Sequence, residues 1–299
     1  MVEEIPVIDL QDFPRSLPKL VEASKEWGCF RIVNFERILP VSLMHEMKAV
    51  VSSLMELPLE IKRRNVDAVA GSGHKLSGGV NPIHEGLGFY DIASSQAVDE
   101  FCTQLAATPH QRETITRYAK AVNELTIDIG RKIGQGLGLK EVPFESWPSR
   151  LRINKYPFAP ETIGSDGIKT HTDNGFVTIL QADEQLSGLE IMRKSGEIVA
   201  VEPCPGAILV NFGDIATAWS NGILYNVKHR VVCKQPGIRI SIATFQIGPR
   251  EGLVDAPNEL VTKENPRLFA PFRFEEYRNA RFYKDLNASE ALDLFRVES

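Results

Sequence analysis

Four cysteines in 299 residues, Cys29, Cys102, Cys204 and Cys233, form no CxxC pair and no closely spaced set. That excludes a zinc knuckle and a disulfide-stapled scaffold. Basic charge is not in excess either: 34 Lys and Arg against 39 Asp and Glu leave a net charge of -5. This is the wrong sign for a chain that coats nucleic acid or an anionic membrane. No apolar run approaches the roughly 18 to 20 residues that span a bilayer. The opening "MVEEIPVIDL" has neither the basic start nor the apolar stretch of a secretory signal. These absences point to a cytoplasmic protein acting on small molecules, with no nucleic-acid and no membrane partner. What is present is a hydrophobic share of 43%, enough for a full core in one large domain or two smaller ones.

No low-complexity linker and no fixed-period repeat divides the chain, so residues 1–299 read as one unit. Residues 1–149 are mainly helical, 150–250 mainly extended, and 251–299 helical again. "IPVIDL" and "GCFRIVNF" are short extended runs flanking a helical stretch, Leu17 to Trp27, and Pro40 opens another helix through "VSLMHEMKAVVSSLMEL". Residues 66 to 92 read as a long glycine-rich loop, whose length suits a lid or wall over a site. The clearest helix starts at "TPHQ", where Thr108 caps, Pro109 takes the first helical position and Gln111 closes a capping box. Its stripe, Ile115, Tyr118, Val122, Leu125, Ile129, Ile133 and Leu137, steps by three or four as one buried face requires. The glycines of "IGQGLGLK" follow a helix, whereas a dinucleotide loop must follow a strand.

From "LRINKYPF" onward the pattern changes to "GFVTILQ", "GLEIM", "IVAVEP", "AILVNFG", "VKHRVVCK" and "IRISIATFQI", each punctuated by turn residues. Strands at such spacing predict an α+β fold: a double-stranded β-helix, or jelly roll, with helices packed outside it.

Within that region "IKTHTDNGF" places His171 and Asp173 two apart. On a strand such residues share a face and can reach one ion together; at a strand end they are equally ordinary polar residues. A third ligand decides, and His229 in "NVKHRVV" lies on a later strand of the same barrel. Two imidazoles and one carboxylate form the facial triad that binds non-haem Fe(II) with open positions. Beyond His229, "RISIATF" puts Arg239 and Ser241 on one strand face with Ala243 and Phe245, a fork and a hydroxyl suited to a carboxylate, although exposed strands carry such pairs too. In "RINKYP", Arg152, Asn154 and Tyr156 share a face by the same alternation. His45, His74, His84 and His110 lack partners at ligand spacing and read as surface or locally hydrogen-bonded residues.

With "EWGCFRIVN", "NKYP", "HTDNGFVTILQ", "PGAILVNFGDIATAWSNG", "KHRV" and "RISIATF" in this order, the chain resembles the plant 2-oxoglutarate and Fe(II)-dependent dioxygenases over nearly its whole length. The resemblance implies His171, Asp173 and His229 as iron ligands. It implies Arg239 and Ser241 on the distal carboxylate of 2-oxoglutarate, and Asn154 and Tyr156 near its chelating end. It also implies dioxygen as the oxidant, ascorbate as an auxiliary reductant, and a small carboxylic acid as substrate. "GGVNPIHEGLGFYDIASSQAVDEFC" and "PHQRETITRYAKAVNEL" look most like the auxin-oxidising members, which turn indole-3-acetic acid into 2-oxindole-3-acetic acid; the alternatives are the same chemistry on a gibberellin or phenolic acid, or a non-catalytic jelly roll that binds a hormone. For an indole acid, Phe89, Phe158, Phe176 and Phe245 are the expected flat walls, and Arg152 is the expected carboxylate anchor.

Overall fold

Alternating apolar positions become twelve strands among the described residues. The structure, a computed structural model, describes residues 4–66, 72–77, 83–284, 286 and 289–297. In chain order the strands are β1 (Val7–Asp9), β2 (Cys29–Val33), β3 (Lys75–Ser77), β4 (His84–Tyr90), β5 (Ser149–Phe158) and β6 (Asp166–His171). They continue as β7 (Val177–Gln181), β8 (Leu189–Met192), β9 (Ile198–Ala200), β10 (Ile208–Phe212), β11 (Lys228–Val232) and β12 (Gly237–Gln246). One sheet runs β1-β2-β10-β7-β12-β5-β4-β3 and the other β6-β11-β8-β9. Apart from the parallel β1–β2 pair, every named ladder is antiparallel. This is the jelly-roll core of the expected α+β fold.

The helix Pro109–Gly136 carries the complete Thr108–Gln111 capping box, and buries Ile115, Tyr118, Val122, Leu125, Ile129 and Ile133. It packs between the helix Val41–Met55 and strands β7 and β12. Each such aliphatic side chain contributes roughly 1.5 to 3 kcal/mol by leaving water. The phenol of Tyr118 donates to Gln181 Oε1 at 3.0 Å, and Gln181 Nε2 donates to the carbonyl of Met44 at 3.0 Å, so strand and both helices are locked together. Behind the large sheet lies the main core; a second, smaller core of Tyr156, Phe158, Leu189, Ile191 and Val231 joins the two sheets inside the roll.

The glycine-rich stretch of 66 to 92 is largely not a loop where it is described, and residues 67–71 and 78–82 lie outside the described residues. Strand β4 pairs with β5 across six positions, from Glu85 opposite Lys155 to Tyr90 opposite Arg150. Its glycines mark close approach instead of flexibility. A Cβ on Gly86 would meet Arg152 Nη2 at 2.5 Å, and one on Gly88 would meet the carbonyl oxygen of Leu151 at 2.4 Å. On the other face of β4, Glu85 is held by Lys62 and His74 at 2.8 and 2.9 Å, tying residues 72–77 to the sheet.

Candidate metal centre and active-site cavity

Strands β6 and β11 pair so that His171 stands directly opposite His229, with ring centroids 4.2 Å apart. Each ring is oriented by its own strand: Nδ1–H of His171 donates to the Lys169 carbonyl at 2.8 Å, and that of His229 to the Val227 carbonyl at 3.1 Å. Those bonds assign the tautomer and turn both Nε2 lone pairs inward. Asp173 is not on the strand, as the alternation argument required, because β6 ends at His171; the turn after it brings the carboxylate round. Its Oδ1 lies 3.7 Å from His171 Nε2 and 3.6 Å from His229 Nε2. Its Oδ2 is taken by Thr178 Oγ1 and Asn211 Nδ2, both donating at 2.6 Å. One oxygen is therefore left to face the two imidazoles, and all three ligand atoms fall within 4.8 Å of one another.

The electrostatics agree with a cation site. Burial opposes charge on Asp173, but the two imidazoles and the bonds from Thr178 and Asn211 outweigh it and hold the carboxyl below its usual range. His171 is pushed down to about 4, first by burial and then by the neighbouring His229, so it is neutral at physiological pH, the form a metal ligand needs. Two imidazoles and one carboxylate, open on one side, are the donor set of a non-haem ferrous centre.

Strands β5 and β12 form the adjoining wall. Arg239 stands opposite Tyr156 and Ser241 opposite Asn154, so the two polar faces read from the sequence converge on one surface. The Arg239 guanidinium lies 5.2 Å from the centre of the Tyr156 ring. It is 2% exposed, and its Nε and Nη1 have no hydrogen-bond partner. Two orphaned donors on a buried cation fit an anionic ligand, since a buried unsatisfied charge is otherwise strongly unfavourable. A cavity of about 70 Å3 joins Arg239, Ser241, Asn154 and Tyr156 to all three members of the triad.

A larger cavity, about 510 Å3, opens beside it and is lined by His84, Arg150, Arg152, Thr172, Phe245 and Arg281 among others. Arg152 reaches it with Nη1 donating to the carbonyls of Ser72 and Gly73 at 3.1 and 2.7 Å. Burial, then the neighbouring Arg150, lowers the Arg152 pKa to about 10, so the guanidinium stays charged. Of the four expected aromatic walls, Phe245 alone lines either cavity. Phe89 faces away, stacked on Phe101 at 4.6 Å, because on β4 it is the even-numbered residues that turn to the site. Phe176 fills a cluster with Phe144 and Trp219, and Phe158 sits beyond Tyr156 in the inner core.

His84 is a site residue that the ligand-spacing argument passed over. It is buried, its Nε2 is 3.0 Å from Asn154 Oδ1, and its ring lies 5.1 Å from that of Tyr156. Burial, opposed by the Asn154 hydrogen bond, lowers its pKa to about 4. Below the unfolded value near 6.5 the unfolded chain takes up a proton that the native site refuses. Its contribution to stability is therefore present above pH 6.5 and is lost as the pH falls toward 4. His84→Gln is expected to flatten the loss of unfolding free energy across that window by about 3 kcal/mol, measured by urea denaturation of the metal-free protein. A slope equal to that of the unsubstituted chain would mean that this imidazole protonates freely in the fold.

Residues 147–247 match the 2OG-Fe(II) oxygenase superfamily, and residues 5–86 match the N-terminal region described as that of a non-haem dioxygenase in morphine synthesis. The 2-oxoglutarate-dependent dioxygenase DAO of Oryza sativa subsp. japonica is 42% identical over 97% of this chain and 98% of its own length. The chain belongs to the 2OG-Fe(II) oxygenase superfamily. Its resident metal is Fe(II) and its co-substrate 2-oxoglutarate. The crystal structure of the rice dioxygenase for auxin oxidation superimposes on this oxygenase with a TM-score of 0.91 at 41% identity, covering 98% of this chain and 100% of that one. The 2-oxoglutarate complex of dioxygenase for auxin oxidation 1 from Arabidopsis thaliana gives 0.85 at 48% identity, covering 88% and 100%. Among the described residues no helix of the oxygenase is long and apolar enough to cross a membrane.

Proposed function

We propose that this oxygenase converts indole-3-acetic acid to 2-oxindole-3-acetic acid while 2-oxoglutarate becomes succinate and carbon dioxide. His171, Asp173 and His229 hold the ferrous ion, Arg239 and Ser241 the distal carboxylate of 2-oxoglutarate, and Asn154 and Tyr156 border its keto-acid end. One observation carries the assignment of this site: a buried guanidinium with two unsatisfied donors shares a cavity with the three ligand atoms. The similarity to two auxin-oxidising dioxygenases over nearly their full lengths supports the substrate.

When bound, iron and 2-oxoglutarate together supply the oxidising chemistry by activating dioxygen at the expense of decarboxylation. The chain supplies placement. Thr178 and Asn211 hold the Asp173 carboxylate so that one oxygen serves as ligand, and the strand carbonyls keep both imidazoles in the ligating tautomer. His84 fixes the Asn154 amide through its Oδ1, which leaves the NH2 edge to meet an acceptor in the cavity. Arg152 anchors the acid substrate on the far side of Asn154, in the cavity that Phe245 also lines. A charge-assisted contact of that kind contributes about 1.5 to 3 kcal/mol. Residues 1–299 act as a single catalytic unit, since β1 to β4 extend the sheet that carries β5 and β12. We assign it to the reducing cytoplasm, in keeping with four free thiols.

Mass spectrometry of indole-3-acetic acid incubated with the protein, Fe(II), 2-oxoglutarate and air is expected to show a gain of one oxygen that depends on 2-oxoglutarate. Arg152→Gln is expected to raise the KM for the acid and leave that for 2-oxoglutarate in place. Succinate release with a gibberellin or phenolic acid, and none with the indole, would move the assignment to another substrate within the same chemistry.

A further inference from the structure

The turn between the first two members of the triad is held by a part of the chain that lies outside the roll. Strand β6 ends at His171 and β7 begins at Val177, so residues 172–176 have no ladder of their own. Thr172, fully buried, sits between His171 and Asp173. Its carbonyl accepts a hydrogen bond from Arg281 Nη2. Its hydroxyl oxygen accepts from Arg281 Nη1 at 3.2 Å and from the Ser289 backbone N–H at 3.1 Å. Arg281 belongs to the C-terminal helix Phe274–Tyr283.

That guanidinium is itself fixed. Asp214, with no exposed surface, accepts at Oδ2 from Arg281 Nη1 at 2.9 Å and from the Tyr277 phenol at 2.5 Å. At Oδ1 it accepts from Asn226 Nδ2 at 2.6 Å, and the same amide reaches Ser289 Oγ at 3.0 Å. The backbone N–H of Asp214 then donates to the carbonyl of Asp173 at 2.9 Å. The carbonyls of Thr172 and Asp173 are thus both caught by one buried network, and that network is fastened to the C-terminal helix. Metal ligands must be held to within about 0.5 Å to act together, and groups that orient them weigh nearly as much as the ligands themselves.

We propose that Arg281 is a positioning residue for the metal centre: by gripping Thr172 it sets the angle at which His171 and Asp173 face the ion, which makes the C-terminal helix a working part of the site. This rests on the reading that His171, Asp173 and His229 are the ligands. A buried Arg–Asp–Tyr cluster that only staples the fold is the competing account, and it differs in what it leaves alone. A staple alters stability, whereas a positioning group alters metal affinity beyond its effect on stability.

The test is an anaerobic Co(II) titration of the full chain, read by calorimetry and by the visible ligand-field bands, alongside melting temperatures of the metal-free proteins. Arg281→Gln is expected to weaken Co(II) binding by about 10- to 100-fold and to change the band shape. Arg281→Lys keeps a cation for Asp214 but loses the fork that spans Asp214 and Thr172, so it is expected to fold and still bind Co(II) more weakly than the unsubstituted chain. Tyr277→Phe removes the phenol's hydrogen bond to Asp214 and the one it accepts from Arg281 Nη1 at 3.1 Å, and spares the Arg281–Thr172 contacts. It is expected to lower the melting temperature with a much smaller change in Co(II) affinity. Unaltered Co(II) binding in both Arg281 variants would overturn the inference, as would a Tyr277→Phe protein that loses as much affinity as Arg281→Gln. Undiminished Co(II) uptake by a His229→Ala protein would overturn the ligand reading and the inference with it.

Discussion

Asp173→Ala lowers the affinity for Fe(II) by more than about 100-fold, and turnover disappears with it. Removing a mere hydrogen-bond partner of a metal ligand typically loses 10- to 100-fold, and Asp173 is the one anionic member of the triad. Asparagine is expected to rescue little. With Thr178 and Asn211 both donating to Oδ2, an amide at this position must either aim its NH2 at those donors or turn it toward the ion. Either choice sets donor against donor or cation. Anaerobic equilibrium dialysis against Fe(II) measures the effect, and affinity kept within tenfold of the unsubstituted protein would remove Asp173 from the ligand set.

Arg239→Met raises the KM for 2-oxoglutarate by about 10- to 100-fold, the equivalent of one or two lost hydrogen bonds between charged groups. The same substitution is expected to raise the melting temperature of the protein without 2-oxoglutarate, because it removes a buried cation whose Nε and Nη1 have no partner. Lysine in its place gives an intermediate KM, since a point ammonium has no planar fork. Opposite signs for affinity and apo stability are the signature of a group kept for its ligand. A methionine variant with an unchanged KM would show that the co-substrate binds elsewhere.

The large elements were legible because their signals are local. A capping box and a stripe at helical spacing define Pro109–Gly136 within a residue. Strict alternation on β5 and β12 put Asn154, Tyr156, Arg239 and Ser241 on faces that do meet across the ladder. What escaped depends on partners remote in sequence. The glycines of "HEGLGFY" read as part of a long loop, although Gly86 and Gly88 make room for Arg152 and for the backbone of β5. With β4 recognised as a strand, parity alone would have turned His84 toward the cavity and Phe89 away from it. Asn211 in the apolar run "ILVNF" had a signal of its own: a lone amide in a strand buried on both faces must find a polar partner, and here it is the Asp173 carboxylate. The Arg281–Asp214–Thr172 network had none, since a charged residue on a short C-terminal helix looks like any solvated one.

The ladder between β5 and β12 also acts as a ruler. Arg239 faces Tyr156 at one mark and Ala243 faces Arg152 four residues on, about 13 Å along the strand. With Arg239 and Arg152 in their proposed roles, changes at the far mark are expected to retune which acid is accepted while the grip at the near mark keeps its dimensions.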